Sequence, residues 1–155
     1  MSVPHIAPAK GTRSFEFKQS RYKNLAGMNV LRTVLCGNSG VGKGVLQQQL
    51  ILDVFKGCFE RVYLFSPTAH TDTNWEPVLK YIRKDLKVPE EEEVFFDTFD
   101  VAAIEAIIDQ QKRIISYEKA HNFKQLHQIC ILVDDMAGDE QVMRGKRGQT
   151  LKDCI

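Results

Sequence analysis

The stretch Leu31-Arg-Thr-Val-Leu-Cys-Gly-Asn-Ser-Gly-Val-Gly-Lys-Gly-Val-Leu46 decides how this chain is read. The run Val30 to Cys36 is apolar and β-branched, which predicts a strand buried on both faces. A loop follows, made of Gly37, Asn38, Ser39, Gly40, Val41, Gly42, Lys43 and Gly44, and a helix is expected to open at Lys43. Glycines let the backbone turn tightly and aim its N–H groups at an anion. The helix adds its N-terminal dipole, and Lys43 reaches the outer phosphates as a point charge. The spacing G-x-x-x-x-G-K-[ST] is met from Gly37 to Lys43, but Gly44 stands where a Ser or Thr hydroxyl normally touches Mg²⁺. A glycine-rich turn with no ligand is the plain alternative. The agreement of glycine spacing, lysine and flanking elements favours phosphate.

The helix is expected to run to about Phe55, with Leu46, Leu50, Ile51, Val54 and Phe55 at helical spacing and Gly57 as its stop. Gln47, Gln48 and Gln49 are assigned to its polar side. Arg61 to Ser66 reads as the second strand, ended by Pro67, so strand, helix and strand predict a right-handed βαβ unit. The polar loop from Ser66 to Trp75 then lies at the carboxyl end of a strand, where open α/β sheets bind ligands. Asn74 is the expected N-cap of the next helix and Pro77 sits in its first turn. Val78, Leu79, Ile82 and Leu86 give that helix an apolar stripe. Glu90 to Glu93 reads as solvated, Val94 to Phe96 as a short strand, and Asp100 as the N-cap of a helix reaching about Ala120. Gln128 to Val133 is the third main strand, and it runs into Asp134 and Asp135.

An apolar strand ending in two carboxylates is the expected partner of such a loop. Asp134 would hold Mg²⁺, through water, because that ion keeps much of its hydration shell. Asp135 would orient or deprotonate the water that attacks a terminal phosphate. His70 and Asp72 fit either a coupling role at the site or simple loop solvation. Trp75 reads as packing rather than as a base-stacking platform, and neither His121 nor His127 reads as a ligand or base. Lys146 and Arg147 fit DNA contacts or an exposed turn equally well.

Composition sets the frame. A chain of 155 residues with 43% hydrophobic and 26% charged content has room for one domain with a real core. The net charge of +1 gives no global pull toward nucleic acid, although Lys10, Arg13, Lys18, Arg21, Lys23 and Arg32 face only Glu16 in the first segment. That basic arm suits phosphate backbones, an acidic partner or plain solvation. No apolar run approaches the ~18–20 residues of a membrane span. Cys36, Cys58, Cys130 and Cys154 lack metal-ligand spacing, and reduced thiols, with Cys36 and Cys130 inside strands, are expected.

Taken together, LCGNSGVGKG, VYLFSPTAHTDTNW and ILVDDM resemble the DNA-packaging ATPases of large double-stranded DNA viruses, the pox- and phycodnavirus type within the FtsK–HerA group of P-loop motors. The resemblance covers about residues 30–155. It implies an α/β fold, the three-layer α/β/α P-loop NTPase with a mainly parallel sheet, here expected to lack its C-terminal strands. Residues 1–29 would be a basic, poorly ordered arm and 30–155 an incomplete ATPase core. The resemblance also implies ATP and Mg²⁺ as cofactors, with Gly37 to Gly44 on the nucleotide, Lys43 and Asp135 in catalysis and Asp134 on the metal. Double-stranded DNA and capsid or portal components are the implied partners, in a homo-oligomeric ring without a membrane span. The implied place is inside an infected cell, in cytoplasm or virus factory, or on the virion. In that family a further strand lies between the P-loop strand and the Asp-Asp strand, so its loss would leave a slot in the sheet. Gly44 departs from the pattern, and loss of one charge-assisted metal contact costs ~1–3 kcal/mol. A catalytically weak nucleotide-binding relic and a small-molecule kinase are the rival readings.

Overall fold

A computed structural model describes residues 15–22, 32–38 and 40–136. Its centre is β1 (Arg61–Phe65), whose residues from Val62 onward are all buried. β1 is flanked on one side by β2 (Phe95–Phe96) and on the other by β3 (Ile129–Val133), giving a three-stranded sheet in the order β2-β1-β3. Both pairings are parallel. Leu64 and Phe65 stand opposite Phe95 and Phe96, and Arg61 through Phe65 stand opposite Ile129 through Val133. Parallel strands need long crossovers. Here the path from β1 to β2 holds α2 (Glu76–Lys84) and the path from β2 to β3 holds α3 (Val101–Ala120). The fold is therefore α/β with a small parallel sheet.

The core gathers around β1. Phe65 stacks on Phe96 with ring centroids 4.5 Å apart, and Phe99, Trp75, Val78, Ile82 and Ile104 close the cluster. Each such side chain contributes roughly 1.5–3 kcal/mol when withdrawn from water. Trp75 is 2% exposed, so it packs as expected. α3 begins where Asp100 accepts from the N–H groups of Ala102 and Ala103 at 2.8 and 3.2 Å. α1 (Lys43–Gln49) runs directly into a π-helical turn, Leu50–Val54, where the Phe55 N–H reaches the Leu50 carbonyl at 2.7 Å. Gly57, with φ 77°, then turns the chain away, and its N–H donates to the Tyr81 hydroxyl of α2 at 2.9 Å.

Six expectations need correction. Arg32 to Cys36 forms no strand: Thr33 to Cys36 has no ladder partner among the described residues, and Val34 is 85% exposed. A strand requires a neighbour for its N–H and C=O groups as well as β-branched residues. Both edges of β1 belong to β2 and β3, so the expected βαβ unit through α1 is not formed among the described residues. Cys36 is consequently exposed, whereas Cys130 in β3 packs inward and burial pushes its thiol up to about 12. Gln47 is buried rather than on the polar side, while Leu46 is 44% exposed. Asn74 is not an N-cap: the Asp72 carboxylate takes its N–H at 2.9 Å, and a 3₁₀ turn, Thr73–Trp75, leads into α2. Glu92 is not solvated, because Arg61 Nε donates to both its oxygens, at 2.9 and 3.1 Å, and the Tyr63 hydroxyl donates at 3.0 Å.

Residues 15–22 lie against the opposite end of β1 from the loop that follows it. The alternation at Phe15 and Phe17 yields one parallel bridge, Glu16 to Gln125, rather than an edge strand. Lys18 pairs with Glu60 and Arg21 with Asp53, so these two cations meet carboxylates of their own chain. The other expectations for the first segment, on Lys10, Arg13, Lys23, Val30 and Leu31, lie outside the described residues, as do Ser39, Lys146, Arg147 and Cys154. No helix among the described residues is long and apolar enough to cross a membrane.

Candidate functional site

Two segments converge at the carboxyl end of the sheet. One is the glycine loop that opens α1. Gly40 and Gly42 have φ of 79° and 86°, in the left-handed region where a Cβ is penalised. Gly42 is the N-cap of α1, and its carbonyl accepts the first helical bond from the Leu46 N–H at 2.9 Å. A Cβ on Gly37 would come within 2.9 Å of a methyl of Val41, an exposed side chain that would have to shift. Lys43 curls back over the loop, and its Nζ donates to the carbonyls of Gly37 and Asn38 at 3.0 Å each. The ammonium thus closes the loop around itself. Gly37, Asn38, Gly40, Val41 and Gly42 are exposed, which leaves the loop open to a ligand.

The other segment is the end of β3. The Asp134 N–H continues the β1–β3 ladder by donating to the Phe65 carbonyl at 2.9 Å, which anchors this residue at the sheet's rim. Asp135 follows with φ 52°, a left-handed conformation unusual for a non-glycine residue, and its side chain is exposed. The reversal turns the two successive carboxylates to different surroundings.

Asp134 reports what surrounds it. Partial burial pushes its carboxyl above the ordinary range, and a hydrogen bond from Gln47 opposes that shift. The Asp135 charge raises it further, Lys43 lowers it, and Asp72 raises it. The charges of Lys43, Asp135 and Asp72 therefore all reach Asp134. Asp72 arrives on the loop after β1, held by its bond to the Asn74 N–H. His70 lies instead against Phe95, with ring centroids 6.2 Å apart, beside a cleft of about 400 Å³ lined by Arg83, Glu90, Glu91 and Glu93. His121 bonds its own helix through the Tyr117 carbonyl at 2.9 Å.

Gln47 is the site residue that the sequence reading missed. It sits one helical turn beyond Lys43 and therefore on the same face of α1. It is 8% exposed, and its Oε1 has no hydrogen-bond partner. The helical spacing from Lys43 was the available signal. Run-of-three glutamines obscured it, because only one of the three points inward.

The donor set suits a phosphate held together with a cation. The loop offers backbone N–H groups and an ammonium to an anion. Asp134 and the orphaned Gln47 oxygen offer acceptors to a cation that keeps part of its water. Among the described residues no three His, Cys, Asp or Glu side chains gather to hold a bare metal ion, so phosphate and water oxygens would complete such a shell. At position 44 a Cβ would meet nothing within 4 Å, so the space for a hydroxyl exists although the residue lacks one. No protein-family model matches the chain, and neither a curated protein nor a solved structure is significantly similar to it.

Proposed function

We propose that this chain carries the ATP-binding part of a Mg²⁺-dependent P-loop NTPase, resembling the genome-packaging motors of large double-stranded DNA viruses in the FtsK–HerA group. The observation that supports the reading is that the charge of Lys43, at the head of α1, acts on Asp134, at the end of β3, two elements far apart in sequence. In this reading Gly37 to Gly42, Ser39 included, bind the phosphates through backbone N–H groups. Lys43 exchanges its two loop carbonyls for the outer phosphate oxygens. Asp134 holds Mg²⁺, and the ion when bound neutralises charge on the phosphates. Asp135, an exposed acceptor, orients the attacking water.

The three-layer α/β/α core, the homo-oligomeric ring, the double-stranded DNA track, the capsid or portal partners and the intracellular or virion location belong to this proposal through the motif resemblance. The test is ATP turnover by the purified protein, with and without double-stranded DNA. Lys43→Ala is expected to abolish nucleotide binding, and Asp135→Asn to keep binding while losing turnover. Unchanged turnover in either variant refutes the assignment of roles.

Gly44 favours a second reading, a nucleotide-binding protein that hydrolyses ATP weakly or not at all. It predicts ATP binding without measurable turnover, in the presence of DNA as well as in its absence.

A further inference from the structure

Gln47 has an environment that packing alone does not explain. Its side chain is more than nine-tenths buried, yet its Oε1 lacks a hydrogen bond. A buried acceptor left unpaired carries its full desolvation cost, and a Leu or Met would fill the same volume without it. The amide orientation follows from its neighbour. Ionised Asp134 can only accept, so the Nε2 of Gln47 faces it and the oxygen of the same amide is the free atom. Gln47 lies on the face of α1 that carries Lys43, one turn beyond Gly44.

We propose that Gln47 takes the place of the missing hydroxyl at position 44, holding Asp134 with its amide nitrogen and offering its free oxygen to a divalent cation and its hydration shell. This rests on the reading of the loop as a nucleotide site. Gln47 is both a positioning residue for Asp134 and a second neutral oxygen beside it. The arrangement suits Mg²⁺, which takes few protein ligands and keeps water for the remainder. It also gives Gly44 a different meaning, since the hydroxyl lost there is replaced one turn further along the helix.

The experiment measures ATP affinity by calorimetry in EDTA and in Mg²⁺, for the parent protein, Gln47→Leu and Gln47→Met. ATP affinity in EDTA sets each variant's own baseline, from which its Mg²⁺ enhancement is read. The Mg²⁺ enhancement should fall by about tenfold or more in Gln47→Leu, the scale of one lost contact to a charged group. Mg²⁺ enhancement surviving in Gln47→Leu, or its absence in the parent, overturns the role of Gln47 while leaving the nucleotide site intact. Gln47→Met, which keeps the length and volume of the side chain without its amide, makes the same comparison should Gln47→Leu not fold. No ATP binding by the parent in either condition overturns the nucleotide reading and this proposal with it.

Discussion

Restoring the hydroxyl with Gly44→Ser separates the geometry of the loop from its chemistry. A Cβ at position 44 meets nothing within 4 Å, and the residue sits in the first turn of α1 with a negative φ. The substitution therefore adds no clash and removes a glycine from a helix, a gain of at most about 0.5 kcal/mol. For a domain of this size that raises the melting temperature by about 1–2 °C. A thermal melt without ligand checks this first half, and a fall of more than about 2 °C would show that the space at position 44 is not open. The second half concerns Mg²⁺-dependent ATP affinity. A hydroxyl added to a void supplies a new contact worth ~1–3 kcal/mol, or roughly one to two decades. Where Gln47 already supplies an oxygen, the hydroxyl only replaces water, and the gain stays below about tenfold. The larger gain should appear when Gly44→Ser is made in Gln47→Leu. Equal gains in both backgrounds mean that the two positions act independently, which refutes the coupling argued from their shared helix face.

Other outcomes test the scaffold. Glu92→Gln removes the acceptor charge shared by Arg61 and Tyr63, and the pair is only partly exposed, so urea unfolding should show a loss of about 1–2 kcal/mol. Burial, reinforced by Glu92, pushes the Tyr63 phenol from 10.0 up to about 12, so the folded chain holds that proton more tightly than the unfolded one. Its contribution to stability is full below pH about 10 and is lost between about 10 and about 12; Tyr63→Phe should flatten that part of the stability–pH curve. Asp100→Ala deletes the cap that takes the Ala102 and Ala103 N–H groups, and denaturant melts should register about 1 kcal/mol.

Much of the chain was legible in one dimension because its signals are local. Glycines with a lysine at fixed spacing specify a tight turn into a helix, and the structure has left-handed Gly40 and Gly42 before α1. Asp100 before an isoleucine-rich periodic run marked α3, and continuous apolar runs marked β1 and β3. Asp134 and Asp135 were legible as a strand end. Local pattern failed where the outcome depended on which partner was within reach. Arg32 to Cys36 has strand composition, but pairing is decided by the neighbouring ladder, and β2 and β3 occupy both sides of β1. Asn74 looked like a cap until Asp72, two residues earlier, captured its N–H. Glu92 sat in an acidic run that read as solvated, and only the fold brings Arg61 and Tyr63 to it across 31 and 29 positions.

The sequence by itself determined the chemistry available: a glycine-rich loop, its lysine, two carboxylates at a strand end and no hydroxyl at position 44. The tertiary structure decided which of these groups share a field. It set the charges of Lys43, Asp135 and Asp72 acting on Asp134 and turned one of three consecutive glutamines inward to it. The physical reason is range. Backbone geometry and capping act within a few residues, whereas desolvation and charge coupling depend on distances through space that only folding sets.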